Sequence, residues 1–209
     1  MNKVAEYLLQ IKAVKLNNQN PFTWASGRKS PIYCDNRVTL SYPEVRTHIR
    51  DQFVAIIREK YAHADVIAGV ATGGIAQGAL VAQILEKPFV YIRAEEKKHG
   101  LSNRIEGHVS AGQKVVVIED LVSTGKSSLL AVEALREADC EIIGMVAIFT
   151  YTLQTAIENF EKANVKLDTL TTYPILLEQA AASGYITESD LASLNEWSAN
   201  PAKWSDDRM

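Results

Sequence analysis

A chain of 209 residues, 47% hydrophobic and 22% charged, is long enough to bury one full core and has the make-up of a globular protein. Its net charge of -3 gives no basic field for nucleic acid or an anionic membrane, no apolar run reaches transmembrane length, and MNKVAEYLLQIKAVKL lacks a signal peptide's continuous apolar core and cleavage site. Cys34 and Cys140, far apart and without CxxC spacing, suggest neither a disulfide framework nor a zinc site, and the expectation is a cytoplasmic protein with reduced thiols.

The N-terminal helix is followed by FTWASGRKSPIYCDNR, whose glycine, proline and aromatic residues read as a short β-rich region. Pro43 and Glu44 open a helix that runs through Tyr61, with Val45, Ile49, Phe53, Ile56, Ile57 and Tyr61 on one stripe. Strand and helix then alternate: DVIAGVA, the helix IAQGALVAQILE, the strand PFVYIR, a long polar loop, then VVVIED with a helix over Ser127 to Ala138. The series ends with EIIGMVAIF, the helix TLQTAIENFEKA and the strand VKLDTLTT. This order predicts an α/β domain over residues 1–209, with a mostly parallel central sheet and helices on both faces.

The stretch VVVIEDLVSTGKSS, residues 115–128, concentrates the chemistry. Its Gly125-Lys126-Ser127 suggests a Walker A loop, but that pattern needs a glycine where Asp120 stands, and a carboxylate there would face the β-phosphate. Without that reading, the segment is a buried strand, a loop and a helix. Ser123, Thr124, Gly125, Lys126 and Ser127 are placed to cradle a monoester phosphate at the helix N-terminus. Two acids, Glu119 and Asp120, leave the strand toward the same place. Carboxylates beside a phosphate pocket make sense as acceptors for vicinal hydroxyls, as on a ribose 5-phosphate.

An apolar run, an acidic pair, two residues and then [ST]-[ST]-G resembles the phosphoribosyl pyrophosphate (PRPP) signature of type I phosphoribosyltransferases. The resemblance implies that fold with a small N-terminal hood, to which residues 1–40 contribute. It also implies PRPP contacts from Glu119, Asp120, Leu121, Val122, Ser123, Thr124, Gly125, Lys126 and Ser127. A further PRPP segment is GVATGGI, where Thr72, Gly73 and Gly74 would let backbone N–H groups approach the diphosphate; some relatives have a lysine in place of Gly73.

The polar stretch between Arg93 and Lys114 resembles the mobile catalytic loop R-x-x-x-K-x-H-G of orotate phosphoribosyltransferases, with Arg93, Lys97, His99 and Gly100 at that spacing. These cations would meet the pyrophosphate, in the partner subunit of a homodimer. Ala94 stands where many relatives carry a further lysine. FTWASGRKSPIY matches the same family's F-T-x-x-S-G-R-x-S-P, so Ser26, Gly27, Tyr33, Ser123 and Tyr151 are the candidate orotate contacts. Ala25 and Tyr151 stand where relatives have a lysine and, in some, an orotate-contacting arginine. Lys97, His99 and Asp120 are the candidate catalytic residues, with magnesium carried mainly by PRPP rather than by a dedicated cage. His48, His63 and His108 read as structural or solvated. The alternatives are a purine phosphoribosyltransferase, against which SGRKSP stands, and a non-catalytic PRPP-binding regulator.

Overall fold

The apolar runs form the centre of a six-stranded sheet in the computed structural model, which describes residues 2–24, 27–93 and 104–208. The chain begins with α1 (Lys3–Gln10), capped by the Asn2 side chain, which accepts a hydrogen bond from the Ala5 amide at 3.0 Å. Four short strands follow: β1 (Val14–Leu16), β2 (Phe22–Thr23), β3 (Lys29–Ser30) and β4 (Ile32–Cys34). They pair as two antiparallel ribbons, β1 with β4 and β2 with β3. A 3-10 turn over Asn36–Ser41 leads into α2 (Pro43–Lys60), whose Val45, Ile49, Phe53 and Ile57 are buried as the stripe predicts.

The doubly wound core then runs β5 (Val66–Val70), α3 (Gly73–Leu85), β6 (Phe89–Ile92), β7 (Ile105–Glu106), β8 (Lys114–Val122), α4 (Lys126–Glu137), β9 (Glu141–Thr150), α5 (Gln154–Lys162) and β10 (Leu167–Thr172). The sheet order is β10-β9-β8-β5-β6-β7, parallel throughout except for the β6–β7 pair. Strand alternation sends Val116 and Ile118 to the face covered by α1, α2 and α3, and Val115 and Val117 to the face covered by α4 and α5. Three helices end the described chain: α6 (Tyr173–Ala182), α7 (Glu188–Ala199) and α8 (Pro201–Asp206).

Some boundaries differ from the sequence-based expectation. The predicted strand VVVIED ends at Asp120, and β8 runs two residues further, through Leu121 to Val122. Its partner β9 extends equally far, pairing Glu119 with Ala147, Leu121 with Phe149 and Val122 with Thr150. Helix α3 begins at Gly73, so Gly73 and Gly74 of GVATGGI lie in its first turn rather than in a preceding loop, while Gly69 belongs to β5. The polar stretch contains the unforeseen β7, which pairs antiparallel with β6, Ile105 with Ile92 and Glu106 with Tyr91. The hood also rests on the C-terminal helices: the Lys29 amide donates to Ser205 Oγ at 2.9 Å, and the Asn18 side chain donates to Asp190.

Candidate active site

From β5 the chain winds outward through β6, and from β8 it winds the opposite way through β9 and β10, so the crevice between β5 and β8 is the sheet's switch point. Each of these two strands feeds a helix whose first turn has no side-chain cap: α3, preceded by Thr72, and α4, preceded by Gly125. The opening N–H groups of a helix have no intrahelical acceptor, so two anion-binding helix ends flank one crevice. Gly125 sits at φ +78, and a Cβ there would also come within 2.6 Å of the Phe160 ring. The turn is held from α5, where Asn159 donates to the Thr124 carbonyl at 2.9 Å.

Between the two helix ends stand the acids. Asp120 is half-buried and presses on the start of α3: a Cβ on Gly73 would overlap the Asp120 carboxylate. Glu119 is 4% exposed and held within the chain, with one carboxylate oxygen accepting from the Asp120 amide at 2.9 Å and the other from Ser128 Oγ at 2.8 Å. Burial raises its pKa well above the usual carboxylate range. The Asp120 charge and a hydrogen bond to Asp120 push the same way, while the Ser128 and backbone bonds oppose them.

A carboxyl whose folded pKa exceeds its unfolded value contributes stability below the unfolded pKa and loses it as pH rises through the folded pKa. Glu119→Gln keeps an acceptor for the Asp120 amide and turns an N–H toward Ser128 Oγ, whose hydroxyl changes from donor to acceptor, without that loss. Its melting temperature should exceed the wild type's at about pH 8, with a smaller gap at about pH 5. Calorimetric scans at both values check this, and an unchanged or reversed gap would contradict it.

The hood bounds a cleft beside the crevice, on the side of α5 and the C-terminal helices. This cleft of about 520 Å³ lies between Trp24, Arg28 and Lys29 of the hood, Ser123 and Thr124 of the phosphate turn, and Trp197 with Pro201 of the C-terminal helices. Trp24 is braced by Trp197 and Tyr151, at ring-centroid distances of 5.7 and 5.5 Å, and donates to the Ile32 carbonyl at 3.1 Å.

The phosphoribosyl transferase domain family matches residues 40–169. Orotate phosphoribosyltransferases from Phocaeicola vulgatus and Listeria innocua are 58% and 54% identical to this chain; the first match covers 96% of this chain and 94% of the relative, the second 97% of each. The chain belongs to the orotate phosphoribosyltransferase family. The solved orotate phosphoribosyltransferase from Aeropyrum pernix is similar in fold, with a TM-score of 0.77 at 29% identity, covering 88% of this chain and 99% of that one.

The residues predicted from the orotate phosphoribosyltransferase motifs fall into distinct places. Ser123, Thr124 and Gly125 form the turn before α4, while Lys126 and Ser127 start that helix with exposed side chains. Leu121 and Val122 belong to β8; Val122 is fully buried, so its backbone alone is available to a ligand. Tyr33 is 40% exposed on β4, and Gly27 occupies an open turn at φ +83. Tyr151 is 3% exposed within a cluster of Trp24, Phe149, Tyr173 and Trp197, which places its ring behind Trp24. Arg93 follows β6 directly, and its guanidinium lies 3.5 Å from Glu106 of β7. Ser26, Lys97, His99 and Gly100 lie outside the described residues.

Two polar residues escape the motifs. Ser128 is buried in the first turn of α4 and meets Glu119; Asn36 is buried at the foot of the hood and donates to the Asp120 carbonyl at 2.6 Å. Neither spacing carries a recognisable signal. For magnesium, the donor at the crevice is the hard carboxylate of Asp120, and among the described residues no group of three His, Cys, Asp or Glu side chains surrounds one point. That donor set fits an ion that takes its remaining ligands from substrate oxygens and water.

Proposed function

We propose that the protein transfers the 5-phosphoribosyl group of PRPP to orotate, forming orotidine 5'-monophosphate and pyrophosphate in pyrimidine synthesis. The observation that carries this reading is the pair of uncapped helix ends, α3 and α4, on either side of Asp120 beneath an aromatic hood. The α4 end and the Ser123–Gly125 turn take the 5-phosphate, Asp120 accepts from the ribose hydroxyls, and the α3 end with Thr72 and Gly73 takes the diphosphate.

As the bond between C1 and the diphosphate oxygen breaks, positive charge builds on the ribose and negative charge on the leaving group, while the orotate ring nitrogen closes the new bond. Asp120 faces the first charge; Arg93, Lys97 and His99 face the second. Magnesium held by Asp120 and PRPP oxygens would neutralise part of the diphosphate charge. Orotate lies between the phosphate turn at Ser123 and the hood at Tyr33 and Ser26, with Trp24 backed by Tyr151. Closure of the segment bearing Lys97 and His99 excludes water from the reacting centre, and in a homodimer it reaches the neighbouring subunit's site. Cytoplasmic residence belongs to the same proposal.

Pyrophosphate release with PRPP, magnesium and each of orotate, adenine, guanine, hypoxanthine and xanthine tests this reading. Orotate should be the fastest substrate; faster release with any purine would overturn the assignment. Gly73→Ala probes the diphosphate side. The group its Cβ would meet is the end of a side chain, so Asp120 can move aside and stability should change by less than about 1 kcal/mol. The displaced carboxylate should raise KM for PRPP about tenfold, the effect of losing one good hydrogen bond. A Gly73→Ala enzyme with unchanged PRPP kinetics would separate α3 from the PRPP site.

A further inference from the structure

We propose that Asn36 is the positioning residue for Asp120, a strut from the hood that fixes the end of β8 where the ribose is bound. The proposal rests on the PRPP site described above and adds a residue outside every motif that defines it. Asp120 lies two residues beyond the last β5–β8 pair, Gly69 with Ile118, so at this point the strand has run past its neighbour. The Asn36 side chain, 2% exposed, takes the Asp120 carbonyl with a 2.6 Å bond. Its own orientation is set at the other end: Cys34 Sγ donates to Asn36 Oδ1 at 3.3 Å, which leaves the amide nitrogen facing Asp120. Burial pushes the Cys34 thiol up and keeps it a donor at neutral pH. Thr39 Oγ1 donates to the Asn36 carbonyl at 2.6 Å, so the backbone of the strut is held as well.

Asp120 therefore has its backbone held from the hood by Asn36, while its carboxylate lies against Gly73 in the first turn of α3. A side chain serving the hood alone would have no need to reach the strand that bears the ribose-binding carboxylate. Removing the strut should leave the carboxylate in place chemically but no longer held in position.

The test is a double-mutant cycle on PRPP affinity, measured by titration calorimetry with magnesium, using wild type, Asn36→Ala, Asp120→Asn and the double variant. Asn36→Ala should weaken PRPP about tenfold in the wild-type background and less than about twofold once Asp120 is already Asn. An equal loss in both backgrounds would overturn the proposal, because Asn36 would then act independently of the carboxylate. If Asn36→Ala fails to fold, Cys34 reads the same contact: Cys34→Ala should weaken PRPP and Cys34→Ser, which keeps a donor, should restore it. Equal affinities for those two variants would also reject the strut. Wild-type turnover of orotate, run in parallel, separates the two levels: its absence would sink the proposed reaction, while PRPP affinity still reports on Asn36.

Discussion

Asp120→Asn should fold as the wild type does and lose about ten- to a hundredfold in kcat/KM for PRPP, the worth of one charged hydrogen bond at about 1.5–3 kcal/mol. The amide keeps the shape of the side chain, so the contact with the start of α3 and the bond from Asn36 to the backbone carbonyl are preserved. What is lost is negative charge and one acceptor at the point the proposed function assigns to the ribose hydroxyls and the developing positive charge. Steady-state kinetics at saturating orotate, with melting curves as a folding control, give the answer. Unchanged PRPP kinetics would remove Asp120 from the site.

Lys97→Ala should reduce turnover more than orotate binding, because its charge is assigned to the leaving pyrophosphate. Subunit mixing gives the sharper result. In a heterodimer of Lys97→Ala and Asp120→Asn chains with a crossing loop, one site carries both defects and the other neither. Activity should return to about half the wild-type value per heterodimer, although both parents are nearly inactive. Verified heterodimers as inactive as their parents would reject the shared site and leave Lys97 acting within its own chain.

The central sheet is legible in the sequence because its buried strands are unbroken β-branched runs: Val115 to Ile118 can be placed from composition alone, and α2 follows from the single stripe ending near Tyr61. The end of β8 is harder to read. Glu119 and Asp120 are poor strand formers, and what keeps them in the sheet is β9, whose partnering residues Ala147, Phe149 and Thr150 lie well beyond any local window. The phosphate turn shows in the sequence because its chemistry is local, a glycine of positive φ followed directly by a helix. The different surroundings of the two acids do not show, since Glu119 is set by Ser128 on α4 and Asp120 by Asn36, 84 residues away. The C-terminal brace of the hood is equally hidden: Ser205 reaches Lys29 across 176 residues, and Trp197 meets Trp24 only after folding. The enclosure of the Tyr151 ring by other aromatics is likewise set by residues distant in the chain, Trp24 and Trp197, and does not show in the local sequence.

The most direct test of the central claim, that PRPP lies across the β5–β8 crevice astride Asp120, is a crystal structure of the protein with PRPP and magnesium. The 5-phosphate should rest on the backbone N–H groups from Ser123 to Ser127, the ribose hydroxyls within hydrogen-bond distance of Asp120, and the diphosphate against Thr72 and Gly73 at the start of α3. Density for PRPP elsewhere, such as the groove between α5 and β10 lined by Thr152, Phe160 and Thr169, with the crevice empty, would contradict the account.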